Sequence, residues 1–165
     1  MYDGRSGLAL GEPIVGPWTS EVSANGTLLA ATVFTITEYD LDTLQPIGDF
    51  PGESGQVSKI QFSSDGRLAL VSSNDQSLSV YDVATRNRLG DPIPADSPRQ
   101  WQGTLRPDGK ALAVTVADGI EIWDLDPDHL ATATCKMVGR NLTRTEWATY
   151  MSDFGNYRKT CPNVD

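Results

Sequence analysis

Val57 to Asp82 reads VSKIQFSSDGRLALVSSNDQSLSVYD. Its apolar side chains fall at every second position on either side of the pair Asp65-Gly66, as in Leu78, Val80 and then Tyr81-Asp82-Val83. A period of two is that of a strand half-buried in a sheet, not of a helix. Asp-Gly between two such runs is the signature of a tight antiparallel hairpin, here expected as a type I′ turn with positive φ at both central residues. A second turn is expected at Asn74-Asp75-Gln76-Ser77. Leu89-Gly90-Asp91-Pro92-Ile93 then reads as an outer strand, where a proline is tolerated because an edge does not donate every ladder bond.

The same pattern recurs outward in both directions. Asn25-Gly26 precedes TLLAAT, and Asp108-Gly109 precedes KALAVT, so the hairpin glycines stand 40 and 43 residues apart. An aromatic-Asp pair follows each: Tyr39-Asp40, Tyr81-Asp82 and Trp123-Asp124, spaced by 42 residues both times. Tyr2-Asp3 looks like a clipped fourth copy, and Ser6 to Val15 matches an outermost strand whose inner strands are missing. A repeat of about 40 to 45 residues with four short strands is one blade of a β-propeller. The fold expected is therefore all-β: a partial β-propeller of about three four-stranded antiparallel blades over residues 1–126, followed by a short α-helical C-terminal tail over 127–165 packing on the last blade. Three blades fall short of the about four to eight that close a ring, so the open edges are expected to be sticky. The chain is then either part of a larger propeller or a unit that completes one by homo-oligomerising.

The segments VSKIQFSSDGRLALVSSNDQSLSVYD and RPDGKALAVTVADGIEIWD resemble WD-repeat blades, although only Trp123-Asp124 is a literal WD pair and no Gly-His pair is present. GRNLTRTEWATYM, with Tyr157-Arg158-Lys159-Thr160-Cys161-Pro162 beyond it, resembles the C-terminal tail of large bacterial, especially actinobacterial, WD-repeat proteins. In that family the propeller ends a chain that also carries a signal-transduction NTPase module. The resemblance implies that this chain is the sensor end of such a protein or a stand-alone relative; no GxxxxGK[ST] loop occurs in it.

In the tail, Leu130, Ala133, Thr134, Met137 and Val138 fall at helical spacing, and Gly139 is placed to end that helix. Thr143-Arg144-Thr145-Glu146 fits a capping box for a second short helix, on which Trp147 and Met151 would share a face and cover the propeller end. Both cysteines, Cys135 and Cys161, lie here. Their placement suggests a disulfide, with two separate buried thiols as the alternative; their spacing excludes a CxxC metal knuckle.

Composition narrows the function. With 13 basic and 22 acidic residues the formal charge is −9, which is wrong for tracking phosphates, so no nucleic-acid partner is expected. No membrane span and no signal peptide are read from the sequence, giving an expected cytoplasmic location. His129 is the only histidine and has no nucleophile near it in sequence, and Ser63-Ser64 and Ser72-Ser73 lie outside any GxSxG elbow. No catalytic residue, metal site or cofactor is expected. Asp75 and Asp118 are read as turn-holding carboxylates, and Trp123, Asp124 and Trp147 as structural. Trp18 and Trp101 each stand eight residues before a hairpin glycine, where the middle repeat has Ser58. That position opens the innermost strand. These residues, with Lys59, Arg99, Gln100 and Gln102 beside them, are the candidate partner-binding set; the alternative is that the indoles pack between blades. The expected function is a non-catalytic interaction or sensor scaffold for a protein or small signal, against a propeller-type hydrolase or lactonase, or a purely structural unit.

Overall fold

The computed structural model describes residues 5–6, 13–94 and 103–162. The chain divides into two compact units, Met1–Trp123 and Asp124–Asp165.

The first unit holds three antiparallel sheets. Sheet 1 runs in the order β1 (Thr19–Val22), β2 (Thr27–Ala31), β3 (Ile36–Asp40), β4 (Pro46–Asp49). Sheet 2 is β5 (Val57–Phe62), β6 (Leu68–Ser73), β7 (Ser77–Asp82), with β7 pairing both β8 (Asn87–Arg88) and β9 (Ile93–Pro94). Sheet 3 has three strands among the described residues: β10 (Gly103–Leu105), β11 (Ala111–Val116) and β12 (Gly119–Asp124). The innermost strands β1, β5 and β10 are neighbours, so the sheets fan out from that side as propeller blades do.

Burial explains the order of the fan. Leu29, Ala31, Ile36 and Phe50 of the first blade meet Val57, Ile60, Ala69, Val71, Tyr81 and Val83 of the second in one core. Leu70, Leu78 and Val80 alternate with those residues, point to the opposite face of sheet 2 and are buried. The third blade covers them with Leu105, Leu112 and Val114. Gly103 permits that approach: a Cβ there would stand 2.7 Å from the Leu78 side chain.

The hairpins differ from the expected turn type. Only the glycine of each Asn-Gly or Asp-Gly pair has positive φ, at +86° for Gly26, +69° for Gly66 and +72° for Gly109. Gly66 N–H bonds Ser63 O, and Ser63 N–H bonds Leu68 O, making a type I turn closed by one left-handed residue. The side chains account for this. Asp65 accepts from the Ser63 hydroxyl and the Arg67 N–H, while Ser63 Oγ accepts from the Leu68 N–H. That network satisfies the turn with Asp65 in an ordinary conformation, so positive φ is left to the glycine alone.

The second unit begins with a substitution inside the repeat. Asp40 Oδ1 accepts from the N–H and the hydroxyl of Thr43, and Asp82 Oδ1 does the same with Thr85. Each bond holds the turn into a fourth strand, with Leu44 and Arg86 left-handed. Where the third repeat would place that threonine it has Pro127, the first residue of α1 (Pro127–Val138). Proline is pre-organised for that helix position. Asp126 caps the helix by accepting from Asp128 N–H, and Gly139 ends it at φ 69°. Thr143 and Glu146 form the capping box of α2 (Arg144–Tyr150), which is followed by one 3₁₀ turn, Ser152–Phe154.

Glu146 also receives both Arg140 guanidinium nitrogens at 2.8 Å. Arg140 first, then the Thr143 N–H and hydroxyl side of the capping box, lower its pKa from 4.5 to about 2. A depressed carboxyl stabilises the fold above its ordinary value and loses that contribution as pH falls through the folded value. Acidification from pH 4.5 to about 2 is therefore expected to fray the start of α2. Amide exchange at residues 143–147 would show it, and Glu146→Gln would remove the pH dependence.

Candidate functional site

The turn carboxylates of the repeat organise the loops around the sheets. Asp75, in the β6–β7 turn, accepts from the Ser77 N–H and hydroxyl and, across the chain, from the Ser54 hydroxyl at 2.6 Å. Burial raises its pKa, but the bonds from Ser54 and Ser77 outweigh it and hold the carboxyl below its usual range. Its neighbour Gln76 is left-handed at φ 67°. Asp118 occupies the corresponding β11–β12 turn, ahead of Gly119 at φ 152°. Asp124 accepts from the Asp126 N–H at 3.0 Å and faces His129 Nδ1 at 2.9 Å. Those two contacts lower its pKa, the backbone bond most. His129 therefore sits in an exposed pair at the start of α1, with a second-unit aspartate and not a nucleophile as partner.

Trp18 lies immediately before β1, tied to sheet 1 by its N–H bonding Ala31 O at 2.7 Å. It is 69% exposed. Ser58 stands at the equivalent place in β5, since Val22 opposite Leu28 matches Phe62 opposite Ala69. Its hydroxyl donates to Ser72 O, which leaves the oxygen's lone pairs available. Lys59 is adjacent and half-buried. Trp18, Ser58 and Lys59 are thus placed at the starts of neighbouring innermost strands. Trp101, Arg99, Gln100 and Gln102 lie outside the described residues.

Trp123 ends β12 and is 41% exposed. Trp147 is buried within the second unit: its Nε1–H donates to Gly155 O, and its ring meets Tyr157 edge-on at 5.8 Å. Cys135 and Cys161 form a disulfide.

Two features escaped the sequence reading. One is the Asp-x-x-Thr turn, Asp40 to Thr43 and Asp82 to Thr85, whose signal was the shared spacing after each aromatic-Asp pair. The other is Glu53, buried at the seam between the first two blades, where it accepts from the Tyr81 and Ser79 hydroxyls. Its partners lie 28 and 26 residues away, and no local pattern marks it.

Among the described residues, no group of three or more His, Cys, Asp or Glu side chains is arranged to hold a metal ion. No helix there is long and apolar enough to cross a membrane.

Sheets of this pairing, fanned from neighbouring innermost strands, make the chain a partial β-propeller with a helical tail. It is 31% identical over 129 residues to the COMPASS component SWD1 of Saccharomyces cerevisiae, a match covering 74% of this chain and 28% of that protein. It is 31% identical over 97 residues to WD repeat-containing protein 36 of Homo sapiens, covering 58% of this chain and 11% of that one. A third relative, the Periodic tryptophan protein 2 homolog of Schizosaccharomyces pombe, is 29% identical over 93 residues, 56% of this chain and 11% of its own length. The chain thus spans between about a tenth and under a third of these relatives. No protein-family model matches.

Among solved structures, the β-propeller domain of Myceliophteria thermophila Cps50 (Swd1) superimposes with a TM-score of 0.58 at 18% identity, over 69% of this chain and 37% of that one. Hydrazine synthase of Kuenenia stuttgartiensis gives 0.54 at 22%, over 72% and 35%. At such identities the likeness shows the fold alone. The relatives and the propeller neighbours together support a WD-repeat propeller.

Proposed function

We propose that the chain is a non-catalytic recognition platform whose partner docks where the innermost strands begin, with Trp18 as the apolar anchor and Ser58 and Lys59 as polar neighbours. The observation that carries this reading is the exposed indole of Trp18 on a rigid strand start. An exposed tryptophan on a fixed backbone offers a large area and one N–H donor at low entropic cost, as interface anchors do. The resemblance of the tail favours the recognition end of a bacterial signalling protein, working in the cytoplasm on a protein or a small signal, with Trp101, Arg99, Gln100 and Gln102 extending the same rim.

The test is affinity capture with the whole chain, followed by titration of each captured protein against the wild type and Trp18→Ala. Loss of an anchor is expected to weaken binding by about tenfold or more, the effect of a hot-spot truncation. Equal binding by both proteins would remove Trp18 from the interface. Turnover of esters or lactones by the purified chain would replace the scaffold reading with a hydrolase.

A further inference from the structure

The three hairpin turns share a left-handed glycine and differ in the residue before it. Asn25 stands where the other two have Asp65 and Asp108, and Asn25-Gly26 is the one Asn-Gly pair in the sequence. The Ser23 hydroxyl donates to Asn25 Oδ1 as the Ser63 hydroxyl donates to Asp65 Oδ1. Gly26 N–H closes its turn on Ser23 O at 3.1 Å, against 2.9 Å from Gly66 to Ser63 O and 2.8 Å from Gly109 to Arg106 O. Asn25 and Gly26 are both exposed, and a Cβ on Gly26 would meet nothing within 4 Å. The Asn25 amide rests against Gly66 of the second blade, its oxygen and nitrogen 2.7 and 2.9 Å from where a Cβ there would lie.

We propose that Asn25 is a deamidation site that converts this hairpin, through a cyclic imide, into an aspartyl or an isoaspartyl turn. Gly26 N loses its proton and bonds Asn25 Cγ, while the Cγ–Nδ2 bond breaks and the amide nitrogen leaves with a proton as ammonia. Water then opens the imide ring. Adding its hydroxyl to Cγ gives aspartate; adding it to the backbone carbonyl carbon of Asn25 gives isoaspartate, with the chain now routed through Cγ. In each case the other hydrogen of the water returns to Gly26 N, so no oxidant or reductant is needed. Ring closure requires an unhindered, conformationally free nitrogen, which glycine supplies best. The Ser23 hydroxyl bonded to Oδ1 draws electron density from Cγ and eases the attack. The Gly26 N–H bond to Ser23 O must open first, and an exposed hairpin tip opens more readily than core strands.

The two products act differently on the fold. Aspartate is the residue that the second and third hairpins already hold, where it accepts from the Arg67 and Lys110 N–H groups. Isoaspartate inserts one methylene into the backbone between Ser23 and Thr27. That loop is closed by Ser23 N–H on Thr27 O at 2.8 Å and by Thr27 N–H on Ser23 Oγ at 2.9 Å. A longer loop cannot keep both bonds in place, so the adjoining Val22–Leu28 pair loses the support that sets its register. Each product adds one negative charge to the −9 of the chain, which makes both separable from the parent.

The test is peptide mapping of the whole chain after incubation in mildly alkaline heavy-oxygen water. The Asn25 peptide is expected to lose its amide and gain one heavy oxygen, while Asn74, Asn87, Asn141 and Asn156 keep their amides. Asn25→Gln is expected to abolish the change, because the larger ring closes far more slowly. Asn25→Asp supplies the aspartyl turn directly and is expected to show the guanidinium midpoint of the fresh protein. The isoaspartyl fraction, separated by ion exchange and counted with an isoaspartyl methyltransferase, is expected to show a lower midpoint and faster amide exchange at residues 22–28. An Asn25 amide that survives while a free peptide of residues 20–30 is fully converted, or equal conversion of the other asparagines, would remove the site. Unaltered exchange in the isoaspartyl form would overturn the proposed effect on the hairpin.

Discussion

Reduction of the Cys135–Cys161 bond, or replacement of both cysteines by serine, is expected to unfold the second unit while the three sheets remain folded. The bond joins residues 26 apart in sequence. On the chain-entropy model, closing a loop of that size stabilises by about 3 to 4 kcal/mol. That is large for a unit of this size: chains of about 40 residues rarely bury enough surface to fold without a staple. Few of its described residues are buried, chiefly Trp147, Cys161, Asn141 and Asp126, and α1 buries none of its side chains. The disulfide is also the centre of the unit's polar clamp. Asn141 Oδ1 accepts from the N–H groups of Thr160 and Cys161, and its Nδ2 donates to Cys161 O. Opening the bond lets the Cys161 arm leave, which strands the buried Asn141 amide. The measurement is the helical signal and Trp emission of the whole chain with and without reductant, with strand amide exchange as the control. A helical signal and guanidinium midpoint unaltered by reduction would show that the clamp holds without the bond. The result also bears on the compartment proposed above, because a glutathione-reduced cytoplasm would keep the bond open unless folding protects it.

Much of the architecture was written in short-range punctuation. The hairpin glycines and aromatic-Asp pairs recur because each blade needs one left-handed residue between its first two strands and one turn carboxylate after its third. Both requirements are local, so they are visible at fixed spacing. The helix signals Gly139, Thr143 and Glu146 are local in the same sense and took the places expected of them. The turn type was not legible, since it depends on whether Asp65 satisfies the backbone by itself or with Ser63 two residues earlier. Glu53 was invisible for a related reason: a buried carboxylate is identified by its partners, and these arrive only when two blades meet. For the candidate site, sequence spacing correctly equated Trp18 with Ser58, because strand register carries that equivalence. Whether the indole faces solvent or a neighbouring blade is decided by what stands beside sheet 1, which period and spacing do not encode. Among the described residues sheet 3 has no fourth strand, and the third repeat carries Pro127 where the earlier repeats have Thr43 and Thr85.

Tyr81→Ala is expected to cost about 3 to 5 kcal/mol, the usual range for deleting a large buried aromatic ring. Tyr81 is fully buried and belongs to the core cluster formed by the first two blades. Its ring meets Phe50 edge-on at 5.5 Å. Its hydroxyl donates to Glu53, with Pro51 O also within reach at 3.1 Å. Burial first, and then the Glu53 carboxylate, raise the phenol pKa well above its ordinary value of 10, so the group stays a neutral donor. A raised acid pKa favours the protonated fold: its contribution is complete below the ordinary value and fades as pH climbs above it. Tyr81→Phe isolates the polar part. It keeps the ring but withdraws the donor from a buried carboxylate that then retains Ser79, for an expected loss of about 1 to 3 kcal/mol. Glu53→Gln in both backgrounds completes a double-mutant cycle, where groups sharing a hydrogen bond couple by about 0.5 to 3 kcal/mol. Guanidinium unfolding supplies all four values, and Leu89→Ala at an exposed edge gives the baseline. If Tyr81→Ala cost no more than that edge change, the first two blades would be held together by something other than this seam. A large cost with one unchanged cooperative transition would instead mean that the blades unfold together, since each supplies half of the surface that the other buries.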